Sequence, residues 1–177
     1  MIKLNSNLID SYNRLIESSE FSNWQKDNNL DCTKLYCCYF KRNIEMNEQL
    51  IWTFSYMLDK ELNSFEIRND QIKFIGSSPI VEEKKSEYKE LIINDIKISY
   101  DDVIRKISGF NNDMKITTEI CAIINSSEFG IFWNITQVSS GFDLLNFKID
   151  NNRILLNHSK ESILKLGKWE KGKKNTA

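Results

Sequence analysis

The sequence is poor in the residues that most chemistry needs. Its 177 residues include one His, one Pro and six Gly. A lone His158 excludes multi-histidine metal sites and histidine-pair acid–base chemistry. Dispersed glycines exclude a Walker loop and a dinucleotide fingerprint. Basic residues number 24 and acidic residues 25, for a formal net charge of −1. That balance gives no nucleic-acid footprint. No stretch approaches the ~18 apolar residues of a membrane span. The opening Met1 to Asn7 shows no apolar run of signal-peptide length, so a cytoplasmic chain is expected. The four cysteines, Cys32, Cys37, Cys38 and Cys121, lack C-x-x-C spacing. Outside an oxidising compartment they read as free, mostly core thiols.

What is present suits a packed core. Hydrophobic residues make up 41% and aromatics 11% of the chain, which argues against wholesale disorder. At ~150 residues per domain, the length fits one domain or two very small ones sharing a core. Leu8, Ile9, Tyr12, Leu15 and Ile16 recur at helical spacing. Phe21 and Trp24 continue that stripe, and Asp27-Asn28-Asn29 should end it. Lys34 to Lys41 is aromatic-rich and apolar on both faces, which predicts a strand covered on both sides. Gln49 to Leu58 alternates, with Leu50, Trp52, Phe54, Tyr56 and Leu58 on one face and Thr53 and Ser55 on the other. Phe65 to Ile67 and Ile72 to Phe74 flank Asn69-Asp70, a hairpin signal.

Glu82 to Glu90 is charged and reads as a linker, and Leu91 to Ile98 as a small hairpin. Ser99 opens a second helix with Asp101 and Asp102 in its first turn, where carboxylates suit the dipole. Val103, Ile104 and Ile107 form its buried stripe, and Gly109 is placed to end it. Met114 to Ile124 alternates, with Met114, Ile116, Thr118, Ile120, Ala122 and Ile124 on one face. Ile131, Trp133 and Ile135 share a face of the next strand. Leu145, Phe147 and Ile149 lead through Asn151-Asn152 into Ile154 to Leu156. The tail from Lys165 is basic and contains Trp169.

The two halves repeat an order of helix, strands and an Asn-containing hairpin. Phe65 to Ile72 lies over Phe147 to Ile154. Trp52 falls on Trp133 with one residue inserted before Phe147. The expected fold is α+β, with antiparallel sheet packed on two main helices. The units span 1–81 and 99–164, separated by 82–98 and followed by a basic tail at 165–177. Two such units would cover each other or form one long sheet.

The second half resembles a PepSY-type unit. Ile98-Ser99-Tyr100-Asp101-Asp102-Val103-Ile104-Arg105-Lys106-Ile107 looks like its opening helix. Ile131-Phe132-Trp133-Asn134-Ile135 is similar to its middle strand, and Phe147 to Ile154 to its final hairpin. The usual turn Gly is replaced by Asn152, and no export signal precedes the unit. The resemblance implies a tandem of cystatin-like α-β-β-β repeats and a binding or peptidase-inhibiting role.

Each candidate for chemistry has a plainer local explanation. His158 lies in a loop setting past a strand. Asp101 and Asp102 are adjacent on a helix and do not share a face. Cys32, Cys37, Cys38 and His158 could supply four metal ligands, but adjacent cysteines on a strand point to opposite faces. No catalytic residue, cofactor or metal is therefore assigned. Trp52 and Trp133 either pack in the core or line an open sheet face. With Tyr56, Asp101, Asp102 and Trp169 they form the candidate partner-binding set. The expected function is a non-enzymatic protein-binding module, an inhibitor or immunity-type protein acting on a peptidase or toxin. The alternatives are a secretion-chaperone-like homodimer holding a secreted client, and a cystatin-like small-ligand binder or enzyme.

Overall fold

A computed structural model describes residues 4–30, 33–45, 51–68, 71–80, 89–110, 114–141, 143–150 and 154–162, the last stretch by its backbone alone. The fold is α+β. Helices α1 (Leu4–Ile16) and α2 (Ser19–Asp27) precede strands β1 (Lys34–Asn43), β2 (Ile51–Leu58), β3 (Glu61–Arg68) and β4 (Gln71–Pro79). Helix α3 (Tyr100–Ile107) precedes β5 (Ile116–Ser126), β6 (Gly130–Ser139), β7 (Asp143–Ile149) and β8 (Ile154–Ser162). The strands form one antiparallel sheet in the order β4-β3-β2-β1-β5-β6-β7-β8. Each half of the chain supplies a four-stranded meander, and the halves join through their first strands. That seam runs from Cys37↔Ile124 to Asn43↔Thr118.

The first helical stripe divides in two. Ser18 breaks it and caps α2, accepting a hydrogen bond from the Phe21 amide at 3.1 Å. The Ser18 hydroxyl also closes the end of α1 by donating to the Leu15 carbonyl at 2.7 Å. The break turns Phe21 and Trp24 onto the sheet. The stripe on α1 is also narrower than the sequence reading has it. Leu8 and Leu15 are buried, while Ile9 and Ile16 are exposed. Asn28 and Asn29 end α2 as read. The Asn28 side chain caps Trp24 at 2.8 Å, and Asn29 takes a φ of +54° that Asn tolerates.

The three described helices pack on one face of the sheet. Tyr12 meets Phe54 at 5.6 Å between ring centroids. Phe21 stands 4.8 Å from Tyr56 and 5.4 Å from Phe65, and Trp24 stands 5.3 Å from Phe65. Tyr100 of α3 meets Phe40 at 5.6 Å and Trp133 at 6.0 Å. The strand partners in these contacts share one side of the pleat, since successive side chains alternate between faces. Offset and edge-to-face rings of this kind contribute ~0.5–1.5 kcal/mol per pair beyond the area they bury.

Three expectations change. Lys34 to Lys41 is covered on one side only among the described residues: Leu35, Cys38 and Phe40 are buried under helices, while Cys37 and Tyr39 face the other way and are part-buried. A bulge between Leu35 and Cys37 contributes to the irregular pattern. The segment Leu91 to Ile98 forms no hairpin. It holds a short 3-10 turn at Ile93–Asp95 and buries Leu91, Ile93 and Ile98. The Leu91 amide donates to the Leu35 carbonyl at 2.8 Å, and the Lys89 amide to the Asn125 carbonyl at 2.9 Å. From Lys89 onward the supposed linker is therefore a strap tied to β1 and β5, with its hydrogen bonds supplied by strand ends. Finally, α3 passes at Ile107 into a 3-10 turn, Ser108–Phe110, that includes Gly109.

The pairing registers of the two halves correspond next to their final hairpins and diverge beyond, where Glu66 pairs with Lys73 but Lys148 with Leu156. Trp52 pairs with Ile67 and Phe54 with Phe65 on β2–β3. Trp133 pairs with Ile149 and Ile135 with Phe147 on β6–β7. Ile67 pairs with Ile72 across the first hairpin, and Ile149 with Ile154 across the second. The turn residues Asn69-Asp70 and Asn151-Asn152 lie outside the described residues. Among the described residues, no helix is long and apolar enough to cross a membrane.

A concave sheet face and a buried polar seam

The face opposite the helices carries alternating residues of every strand. Register places Thr53, Tyr39, Ala122, Asn134 and Lys148 in one row across β2, β1, β5, β6 and β7. A second row runs from Ile51 through Lys41 and Ile120 to Thr136. The alternation of Thr118, Ile120, Ala122 and Ile124 seen in the sequence thus marks this open face. The buried face of β5 carries Glu119, Cys121 and Ile123 instead.

Short side chains make the floor of a trough here. Thr53 and Ser55 are on the open face yet 4% and 2% exposed, because taller neighbours enclose them. The Ser55 and Ser64 hydroxyls bond at 2.8 Å across β2–β3. Tyr39, Lys41, Ile51, Glu66, Arg68 and Ile75 wall a hollow of about 520 Å³ over Thr53. Ile75 is an extra residue in the β4 register, where Phe74 pairs with Phe65 and Gly76 with Ser64. Ile120 and Ile75 remain exposed, at 38% and 44%. Exposed apolar side chains set among polar and charged ones on a recessed face are the composition of a contact surface.

The covered face holds the opposite arrangement, a buried ionic cluster at the seam. Glu119 on β5 is 1% exposed. Arg42 on β1 pairs with it at 3.2 Å. Gln137 on β6 donates to its other oxygen at 2.7 Å. The Tyr100 hydroxyl donates to the Glu119 carboxylate, accepts from Arg42, and its ring lies 5.1 Å under the guanidinium. Burial raises the Tyr100 phenol above its ordinary pKa, and the nearby carboxylate adds to this. Trp133 Nε1 donates to the Ile98 carbonyl at 3.2 Å alongside. Every oxygen of the carboxylate is thus spent on residues from both halves and α3. The cluster ties β1, β5, β6 and α3 together.

The sequence-derived candidates separate accordingly. Trp52, Tyr56 and Trp133 sit on the helix-covered face and are almost fully buried. The two indoles are linked through Phe40 and Tyr100 in a chain of ring contacts of 4.9 Å, 5.6 Å and 6.0 Å. Asp101 and Asp102 lie on α3, away from the trough. Asp102 is committed to capping: it accepts from Ser99 Oγ at 2.6 Å, its amide donates back at 3.1 Å, and Arg105 pairs with it. The Ser99 hydrogen bond, with Arg105 beside it, holds this carboxyl below the usual range. Trp169, Cys32, Glu82 and Glu83 lie outside the described residues, as does the side chain of His158. Sequence reasoning missed Ile120, Lys41 and Arg68 as surface candidates. The even-numbered alternation on β5 was the available signal.

The described thiols are free: Cys38 and Cys121 are buried and Cys37 is part-buried. Burial pushes the Cys37 thiol from 9.0 up to about 11 and also raises Cys38 and Cys121. Thiolate is the reactive form. Alkylation of native protein at mildly alkaline pH should therefore leave these three cysteines unmodified, and denaturant should release them. The stability tied to Cys37 is present below pH 9.0 and falls as pH rises through about 11, since the unfolded thiol ionises first. Rapid native labelling of any of the three, read by mass spectrometry, would contradict this burial.

No family model, no curated protein and no solved structure matches the chain.

Proposed function

We propose that the chain is a non-enzymatic protein-binding module whose partner docks on the open sheet face. The observation that carries this reading is the trough itself. A wide sheet is covered by helices on one side, and among the described residues no element packs on the other, where Ile120 and Ile75 stand exposed. An inhibitor or immunity-type role toward a peptidase or toxin suits a rigid sheet that presents a preformed surface. Two of the described carboxylates are engaged in structure. Glu119 is spent at the seam and Asp102 at a helix cap.

The corresponding registers support a duplicated helix-plus-sheet unit of the PepSY-like, cystatin-like kind, with four strands in each copy in place of three. In that reading both copies contribute to one binding surface, because the seam lies near its centre. Exposed Phe74 and Ile75 on edge strand β4 favour a second reading, a dimer that pairs β4 edges. Solution mass separates the two: a monomer leaves the face to a different protein.

The test is substitution on the face without change of charge. Ile120→Gln should lower retention of the native partner about tenfold, as for a central apolar contact, while altering stability by less than about 1 kcal/mol. Equal retention by wild type and I120Q, measured with purified partner, would sink the proposal.

A further inference from the structure

The open face is strongly cationic although the chain as a whole is near neutral. Register places Lys34, Lys41, Arg68, Lys73 and Lys148 on it. Among the described side chains of β1 to β7 it carries one carboxylate, Glu66, which lies 3.6 Å from Arg68, and register places one more, Glu161 of β8, at its far edge opposite Leu144. The formal net charge of the whole sequence is −1, so this excess of positive charge is concentrated on one side. Lys41 stands between Ile51 and Ile120 in register and lines the trough with Arg68. Lys148 lies 5.4 Å from the Phe129 ring and 5.5 Å from the Phe132 ring, at the far end of the central row.

We infer that the partner presents an acidic surface to this face, with carboxylates meeting Lys41 and Arg68 and aliphatic side chains meeting Ile120 and Ile75. This rests on the docking reading above and adds the chemistry of the partner. Complementary charge steers encounter and fixes register, while the apolar contacts supply most of the affinity. A nucleic acid is the weaker match. The described cations are spread over four strands, β1, β3, β4 and β7, where a groove tracking a phosphate backbone would set them in line. The acid pair Asp101-Asp102 lies on α3, on the covered side of the sheet, so a basic partner reading those carboxylates would not meet the trough.

The probes are two short labelled peptides, one alternating Glu and Val and one alternating Lys and Val, and a single-stranded oligonucleotide. Binding is read by fluorescence anisotropy at ~0.15 M salt and above. The full chain should bind the Glu/Val peptide in preference to the Lys/Val peptide, and more weakly as salt rises. The double variant K41E/R68E should weaken it about tenfold or more. Both positions are exposed, and the neutral pair K41Q/R68Q with a thermal melt serves as a second variant should the reversal fail to fold. Equal binding of both peptides, binding of neither, or tighter binding of the oligonucleotide would overturn the acidic-partner inference. Separate outcomes identify the level of failure. A purified partner lost by I120Q and held by K41E/R68E keeps the docking face and overturns its charge logic. A partner held by both variants overturns the docking face itself.

Discussion

Glu119→Ala should destabilise the protein by about 3–5 kcal/mol, the cost expected when one member of a buried ion pair is removed. The carboxylate touches Arg42, Tyr100 and Gln137. Without it a guanidinium and two further polar groups lose their partner inside the seam. The penalty arises from what is left behind more than from the ion pair itself. The double variant Arg42→Met with Glu119→Leu should therefore recover most of the loss, since well-packed apolar residues replace buried ions with little penalty. Urea unfolding of Arg42→Met, of Glu119→Leu and of the double variant gives the coupling. Additive losses would show that the cluster is not a unit. Because Arg42 belongs to the first half and Glu119 to the second, the same experiment reports on how the halves are joined.

Trp133→Ala should cost a further large amount, about 3–5 kcal/mol, as for other buried aromatics reduced to alanine. Trp133 is fully buried, packs on Tyr100, pairs with Ile149 and gives its indole hydrogen to the Ile98 carbonyl at 3.2 Å. Phe at this position keeps most of the apolar contact and forfeits the hydrogen bond, so a smaller loss of about 1–3 kcal/mol is expected. Trp52→Ala should be comparable to Trp133→Ala, because Trp52 occupies the corresponding register position against Ile67 with the same degree of burial. A negligible cost at Trp133 together with a large cost at Trp52, in chemical denaturation, would break the correspondence of the halves.

Local signals in the chain read well where one short-range rule decides. The cap at Ser99 with Asp102, the end of α2 at Asn28-Asn29 and the hairpin between Phe65 and Phe74 each depend on neighbours within a few residues. The Phe65 to Ile72 match with Phe147 to Ile154 also found pairs that the registers place at corresponding points. The remainder depends on long-range choices. Tyr39 looked like part of a doubly covered strand, and only the sheet order shows that its side chain faces the trough. Leu91 to Ile98 alternates well enough for a hairpin, but the Leu91 amide bonds the Leu35 carbonyl and the Ile98 carbonyl accepts from Trp133. In the sequence Glu119 is one polar residue between Thr118 and Ile120. Its importance appears only when Arg42, Tyr100 and Gln137 converge on it. The tryptophans fit either core or surface in the sequence, because alternation gives two faces without saying which one the helices cover.

The docking face is tested most directly by site-specific photo-cross-linking. A photoreactive amino acid is placed at Ile120 on the open face, and separately at Ile92, which is 52% exposed in the strap beside the helices. Each full-length protein is irradiated with the purified partner. The account predicts a heterodimeric adduct from position 120 and none from position 92. An adduct from position 92 with none from position 120 would contradict it.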